Sequence, residues 1–131
     1  MRRALAVVSM LLLTLAAGCG ESDPATEFQG AEREVATAVE DLQTAAREGE
    51  ERRICRQLLS AELARAAGDC NRAVQQALDE TDSSELTVED VRVSGDRARA
   101  RVKTGTREEQ TETYELVREN RRWRFSDLGA S

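Results

Sequence analysis

From residue 26 to residue 78 the apolar positions of this chain recur every three or four residues; from residue 88 onward they alternate with polar ones. Phe28, Ala31, Val35, Ala38, Val39, Leu42 and Ala45 fall at helical spacing, and Glu32, Arg33, Glu34, Glu40, Asp41, Arg47 and Glu48 occupy the other faces. This predicts a long first helix, capped by Thr26 with Gln29 completing a capping box and stopped at Gly49. A stripe meant for a membrane surface would be backed by a basic face; here the charges are mixed, so the stripe is assigned to a protein core. Glu50 to Leu59 reads as a second helix burying Ile54, Leu58 and Leu59. Ser60 is placed to cap a short turn, Ala61 to Ala67, ended by Gly68. Asp69 is placed to cap a third helix, Cys70 to Leu78, burying Val74, Ala77 and Leu78, and Thr81 to Ser84 is a polar connector.

The period-2 half predicts four strands. Val91 and Val93 share one face of the first, opposite Asp90 and Arg92, and Gly95-Asp96 is a hairpin turn. The second strand alternates strictly, Ala98, Ala100 and Val102 against Arg97, Arg99, Arg101 and Lys103. Gly105 marks the next turn. The third strand turns Tyr114 and Leu116 inward and Thr111, Thr113 and Glu115 outward; after a turn at Asn120-Arg121 the last strand turns Trp123 and Phe125 inward and Arg122 and Arg124 outward. An antiparallel meander with one apolar face must be covered by the helices, so the fold class is α+β, with one long and two or three short helices on four strands.

The first twenty residues follow neither pattern. Met1-Arg2-Arg3 is a short basic segment, and Ala4 to Ala17 is an apolar run too short for a membrane-crossing helix, which needs about 20 apolar residues. Leu15-Ala16-Ala17-Gly18-Cys19 then puts small residues directly before a cysteine. This segment resembles the lipobox of bacterial lipoproteins, except that Ala16 holds the place usually taken by Leu. The resemblance implies cleavage between Gly18 and Cys19 and a diacylglycerol thioether on Cys19. It divides the chain into a signal peptide over 1–18, a lipid-anchored tether over 19–26 and a domain over 27–131. Two acyl chains anchor stably where one does not. An uncleaved signal anchor and cleavage after Gly18 without lipid are the alternatives.

With Cys19 so assigned, Cys55 and Cys70 remain as an even pair, expected as a disulfide in an oxidising compartment; two free thiols or half a metal site are the competing uses. There is no His, which removes the commonest general base and metal ligand, and with it a Ser-His or Cys-His nucleophile; no metal and no cofactor are expected. Losing Arg2 and Arg3 leaves 17 of the 19 basic residues against 25 acidic ones, a net charge of −8, which argues against nucleic-acid binding.

The order of elements resembles the NTF2-like (cystatin-like cone) superfamily, as found in small exported proteins of high-GC Gram-positive bacteria. The resemblance rests on the long first helix, the segment Ile54-Cys55-Arg56-Gln57-Leu58-Leu59 with Cys70, the hairpin from Val91 to Ala98, and the closing Trp123-Arg124-Phe125-Ser126-Asp127-Leu128. It implies a curved sheet wrapped over the first helix with a pocket at the open end, and no particular activity. An isomerase-like site needs an acid, a base and a Tyr; the one Tyr, Tyr114, reads better as a core residue. The strip of Arg97, Arg99, Arg101 and Lys103 would suit anionic head groups, but Glu109 and Glu115 lie where they can pair with it, so it reads better as a solvated face. The expectation is a non-enzymatic, lipid-anchored binding or interaction module on the extracytoplasmic face of the cell membrane, with an envelope protein as partner. The alternative is a carrier of a hydrophobic small molecule, or a degenerate isomerase-like enzyme, using the cone pocket; a bare spacer is a third use.

Overall fold

The computed structural model describes residues 28–80, 85–105 and 109–129. The expected signal peptide over 1–18 with Gly18, the expected tether with Cys19, Thr26 and the Thr81–Ser84 connector lie outside the described residues.

Helix α1 (Gly30–Glu48) carries the predicted stripe: Val35, Ala38, Val39, Leu42 and Ala45 are buried, and Ala36 is buried with them. It begins later than its periodicity suggests. Gln29 is extended and makes no side-chain cap bond, and Gly30 has a φ of 60°, so Gln29 is the residue before the helix and not a capping-box partner inside it. The left-handed glycine, which costs no steric strain, was the punctuation that helical spacing passed over. At the other end Gly49 stops the helix as expected, with φ 67° and its N–H shared between the Ala45 and Ala46 carbonyls.

The expected second helix is split. Helix α2 (Glu51–Arg53) widens into a π-helical turn (Ile54–Leu58), closed by the Leu59 N–H on the Ile54 carbonyl at 2.9 Å. Ile54, Leu58 and Leu59 are buried as the spacing requires. Leu59 then leaves the helix to form a parallel bridge with Phe125, and the Ser60 N–H donates to the Phe125 carbonyl at 2.8 Å. Ser60 also caps α3 (Ala61–Ala66), its Oγ accepting from the Leu63 N–H at 3.1 Å. Asp69 caps α4 (Cys70–Glu80) through the Arg72 N–H at 3.2 Å. The burial expected of α4 is not found: Val74 and Leu78 are half-buried, Ala77 is exposed, and no residue of the helix is buried. The sheet and α1 complete the core without it, and α4 packs on α2 and the π-helical turn instead.

The sheet is a meander in the order β1 (Leu86–Ser94), β2 (Arg97–Thr104), β3 (Gln110–Glu119), β4 (Arg122–Asp127), each pair antiparallel. The register shifts between Val88 and Asp90, which brings Val88 and Val91 to the same buried face although they are three residues apart; Val93 is only half-buried. Ala98, Ala100, Val102, Tyr114, Leu116, Trp123 and Phe125 face inward as alternation predicts. Phe125, Leu116, Val35, Val39 and Val102 are the largest side chains sealed from solvent, and the Tyr114 ring meets Phe125 edge-on at 5.9 Å. The fold is therefore α+β: a four-stranded open antiparallel sheet with its apolar face packed against α1 and the π-helical turn.

The free edge of β4 is covered. Besides the Leu59 bridge, Arg124 Nη1 donates to the Arg56 carbonyl at 2.7 Å, one of the acceptors a π-helical turn leaves open. The Glu119 carboxylate accepts from the Ala61 N–H at 3.3 Å, placing a negative charge at the start of α3.

Candidate functional site

Three places in this fold carry chemistry: the interior between sheet and α1, the arginine strip on the outer face of the sheet, and a groove beside Trp123.

The interior is filled by side chains. Tyr114, the single tyrosine, packs there; burial, followed by the nearby Glu112 carboxylate and its hydrogen bond, pushes the phenol up to about 12. Its ring packs edge-on against Phe125 within the core.

On the outer face, cross-strand pairing consumes most of the strip. Arg99 meets Glu115 at 3.3 Å and Lys103 meets Glu109 at 2.6 Å, the two carboxylates that alternation placed on the same face as the strip. The hydrogen bond to Glu109 raises the Lys103 pKa. Arg101 finds Glu89 at 3.5 Å, a partner brought round by the β1 register shift. A shallow trough of about 320 Å³ runs over this face between Arg92, Arg97 and Arg99.

The groove lies between α1, the π-helical turn and the β3–β4 turn, and has a volume of about 480 Å³. Ala38, Leu58 and Trp123 supply its apolar lining, and Thr37 and Gln57 its neutral polar groups. Trp123 is fixed there by three interactions. Its Nε1 donates to Glu34 at 3.2 Å, Arg118 sits 4.7 Å from its ring centroid, and Arg118 pairs with the same Glu34 carboxylate at 3.3 Å. At the opposite wall Arg53 bonds Glu50 at 3.0 Å and lies 3.9 Å from Asp41; both carboxylates, Glu50 first, raise its pKa. The carboxylates of the groove, Glu34 and Asp41, are thus already engaged. Its other arginines, Arg33, Arg121 and Arg122, are exposed and form no ion pair among the described residues.

Of the site residues predicted from sequence, Cys55 and Cys70 are brought together in a disulfide, with their Cα atoms 6.0 Å apart, so the free-thiol and metal uses of this pair do not apply. Gly18 and Cys19 lie outside the described residues. Among the described residues no group of three or more His, Cys, Asp or Glu is disposed to hold a metal ion, and no helix is long and apolar enough to cross a membrane. The Glu34–Trp123–Arg118 cluster was not foreseen; it joins residues 89 apart in sequence, which no local spacing reveals. The turn that borders it did carry a signal. Asn120-Arg121 has left-handed φ values of 49° and 66°, and an Arg stands where such a turn ordinarily takes Gly.

No family model, curated protein or solved structure matches the chain.

Proposed function

We propose that the chain is an exported lipoprotein, anchored through lipid on Cys19 to the outer face of a bacterial cytoplasmic membrane. Its NTF2-like domain works there as a non-enzymatic interaction module, contacting its partner by the exterior. Support for the exported compartment comes from the lipobox-like segment ending at Cys19 and from the Cys55–Cys70 disulfide, a bond that persists in oxidising surroundings. The observation that carries the interaction reading is the filled interior. Phe125, Leu116, Val35, Val39 and Val102 occupy the space between sheet and helix where a carrier would hold its ligand, and the groove beside Trp123 opens outside it.

The test is fractionation of cells expressing the chain beside a Cys19→Ala version. The reading expects the parent in the membrane fraction, removable by detergent and not by salt, and the variant unprocessed. A parent recovered soluble, cleaved and without lipid would contradict the anchor. The reading as a carrier or isomerase-like enzyme has one observation on its side, the Tyr114–Glu112 pair on the inner face. Tyr114 is buried and its ring packs edge-on against Phe125 in the filled interior, which leaves no room beside it for a bound substrate and favours the interaction reading.

A further inference from the structure

Three features converge on the same groove. The first is charge. The protein is acidic, with a formal net charge of −6, yet the groove is lined by Arg33, Arg53, Arg121 and Arg122 against Glu34 and Asp41 only. Both carboxylates are taken up by internal partners, and the exposed Arg33, Arg121 and Arg122 form no ion pair among the described residues, Glu119 across the strand from Arg122 being engaged by Arg124 and the Ala61 N–H. The outer face of the sheet shows the contrast: there Arg99 and Arg101 each pair with a carboxylate on the neighbouring strand.

The second feature is backbone strain. Arg121 is held at φ 66°, where an L side chain is disfavoured and Gly is not. The turn would close as well or better with Gly, so folding alone does not ask for a guanidinium at this position. The third is the π-helical turn, which carries Gln57 and Leu58 into the opposite wall of the groove; such turns recur at functional sites.

The shape favours an extended chain over a compact ion. Arg33, Thr37 and Asp41 are successive turns of one α1 face, spanning about 12 Å, the length of three or four extended residues. The same groove is lined by the neutral hydrogen-bonding groups of Thr37 and Gln57 and the apolar Ala38 and Leu58, with Arg33 on α1 and Arg121 and Arg122 at the β3–β4 turn. Guanidinium forks match carboxylates in geometry as well as charge. We infer that this groove is a docking site for a short acidic peptide segment of an envelope partner, its carboxylates held by Arg33, Arg121 and Arg122 and its backbone by Thr37 and Gln57. The inference rests on the reading of the domain as an interaction module and supplies the chemistry of its partner.

Trp123 is the single tryptophan and lines the groove, so its fluorescence reports occupancy directly. The full chain, purified from membranes in detergent, is titrated with hexaglutamate peptide and, separately, with inorganic pyrophosphate. A saturable change with the peptide is expected, weakening as salt is raised, with pyrophosphate failing to displace it at matched concentration. Arg33→Gln and Arg122→Gln should each weaken binding on the order of tenfold. Arg121→Gly should weaken it similarly while leaving the melting temperature unchanged or higher, a split that a merely structural arginine would not give. Arg97→Gln, on the outer face of the sheet, should bind as the parent does. The inference is overturned by no saturable response to the peptide, by binding of pyrophosphate in its place, or by an Arg121→Gly chain that binds as the parent does or melts lower. Lipid on Cys19 is read separately by mass: an unlipidated chain that still binds the peptide would remove the anchor and uphold the groove.

Discussion

The layer formed by α1 and the sheet and the layer formed by α3 and α4 are built on different principles. In the first, a stripe of Val, Leu and Ala meets the alternating face of four strands, and most of the inward side chains are buried. In the second, no residue is buried; Ser60 and Asp69 cap the two helices, and the Cys55–Cys70 bridge ties α4 to the π-helical turn. One layer is stabilised by area removed from water, the other by caps and a covalent bond. A small and very polar domain with few aromatic residues can complete only one core, and what lies outside it needs a staple.

The comparison is broken most directly at Phe125. Phe125→Ala should lower stability by about 3–5 kcal/mol, whereas Leu78→Ala in α4 should cost about 1 kcal/mol. Urea unfolding followed by Trp123 fluorescence measures both, and equal losses would mean that α4 belongs to the core. Next in size is the bridge. Replacing Cys55 and Cys70 together by Ser should remove about 3 kcal/mol. It should also free the α4 amides to exchange while those of α1 and β3 stay protected. Uniform loss of protection would show that the two layers unfold as one.

Tyr114 sharpens the account of the inner layer. Its folded pKa of about 12 lies above the ordinary value of 10.0. The neutral phenol is therefore favoured in the folded state, and its contribution, up to roughly 2–3 kcal/mol, is fully present below pH 10 and lost as pH rises toward 12. The tyrosinate absorbance of this single tyrosine should rise near pH 12 in the native protein, and Tyr114→Phe should not show the parent's loss of stability above pH 10. A midpoint near 10 with the fold intact would place Tyr114 in water. The smallest effect is expected on the outer face, where a double-mutant cycle of Arg99→Ala and Glu115→Ala should give a coupling of about 0.2–1 kcal/mol, falling with salt.

What the sequence made legible was whatever local periodicity governs. Alternation of Ala98, Ala100 and Val102 with arginine assigned both sheet faces and put Glu109 and Glu115 on the face of the basic strip, where the structure pairs them with Lys103 and Arg99. The α1 stripe and the Cys55–Cys70 pair were equally plain. The start of α1 was missed for a local reason, the left-handed Gly30, but the other misses share a physical origin in contacts between residues distant along the chain. Leu59 ends its helix because its backbone finds Phe125, and Val88 rejoins the buried face because β1 shifts register against β2. Helix α4 has an apolar stripe of its own, but its burial depends on space left by the other elements, and that space was already filled. The groove followed the same rule. Arg33, Asp41 and Arg121 looked like solvated surface in the sequence, and it is the packing of α1 on the sheet, with Glu34 bound to Trp123 and Arg118, that brings their elements together.

The proposed lipid anchor and oxidising compartment are both read from the intact mass of the protein recovered from the membrane, taken with and without reductant and followed by alkylation. The account predicts a chain that begins at Cys19 and carries lipid mass there, with Cys55 and Cys70 alkylated only after reduction. A chain that still begins at Met1, or one cleaved without lipid whose Cys55 and Cys70 are alkylated without reductant, would contradict it.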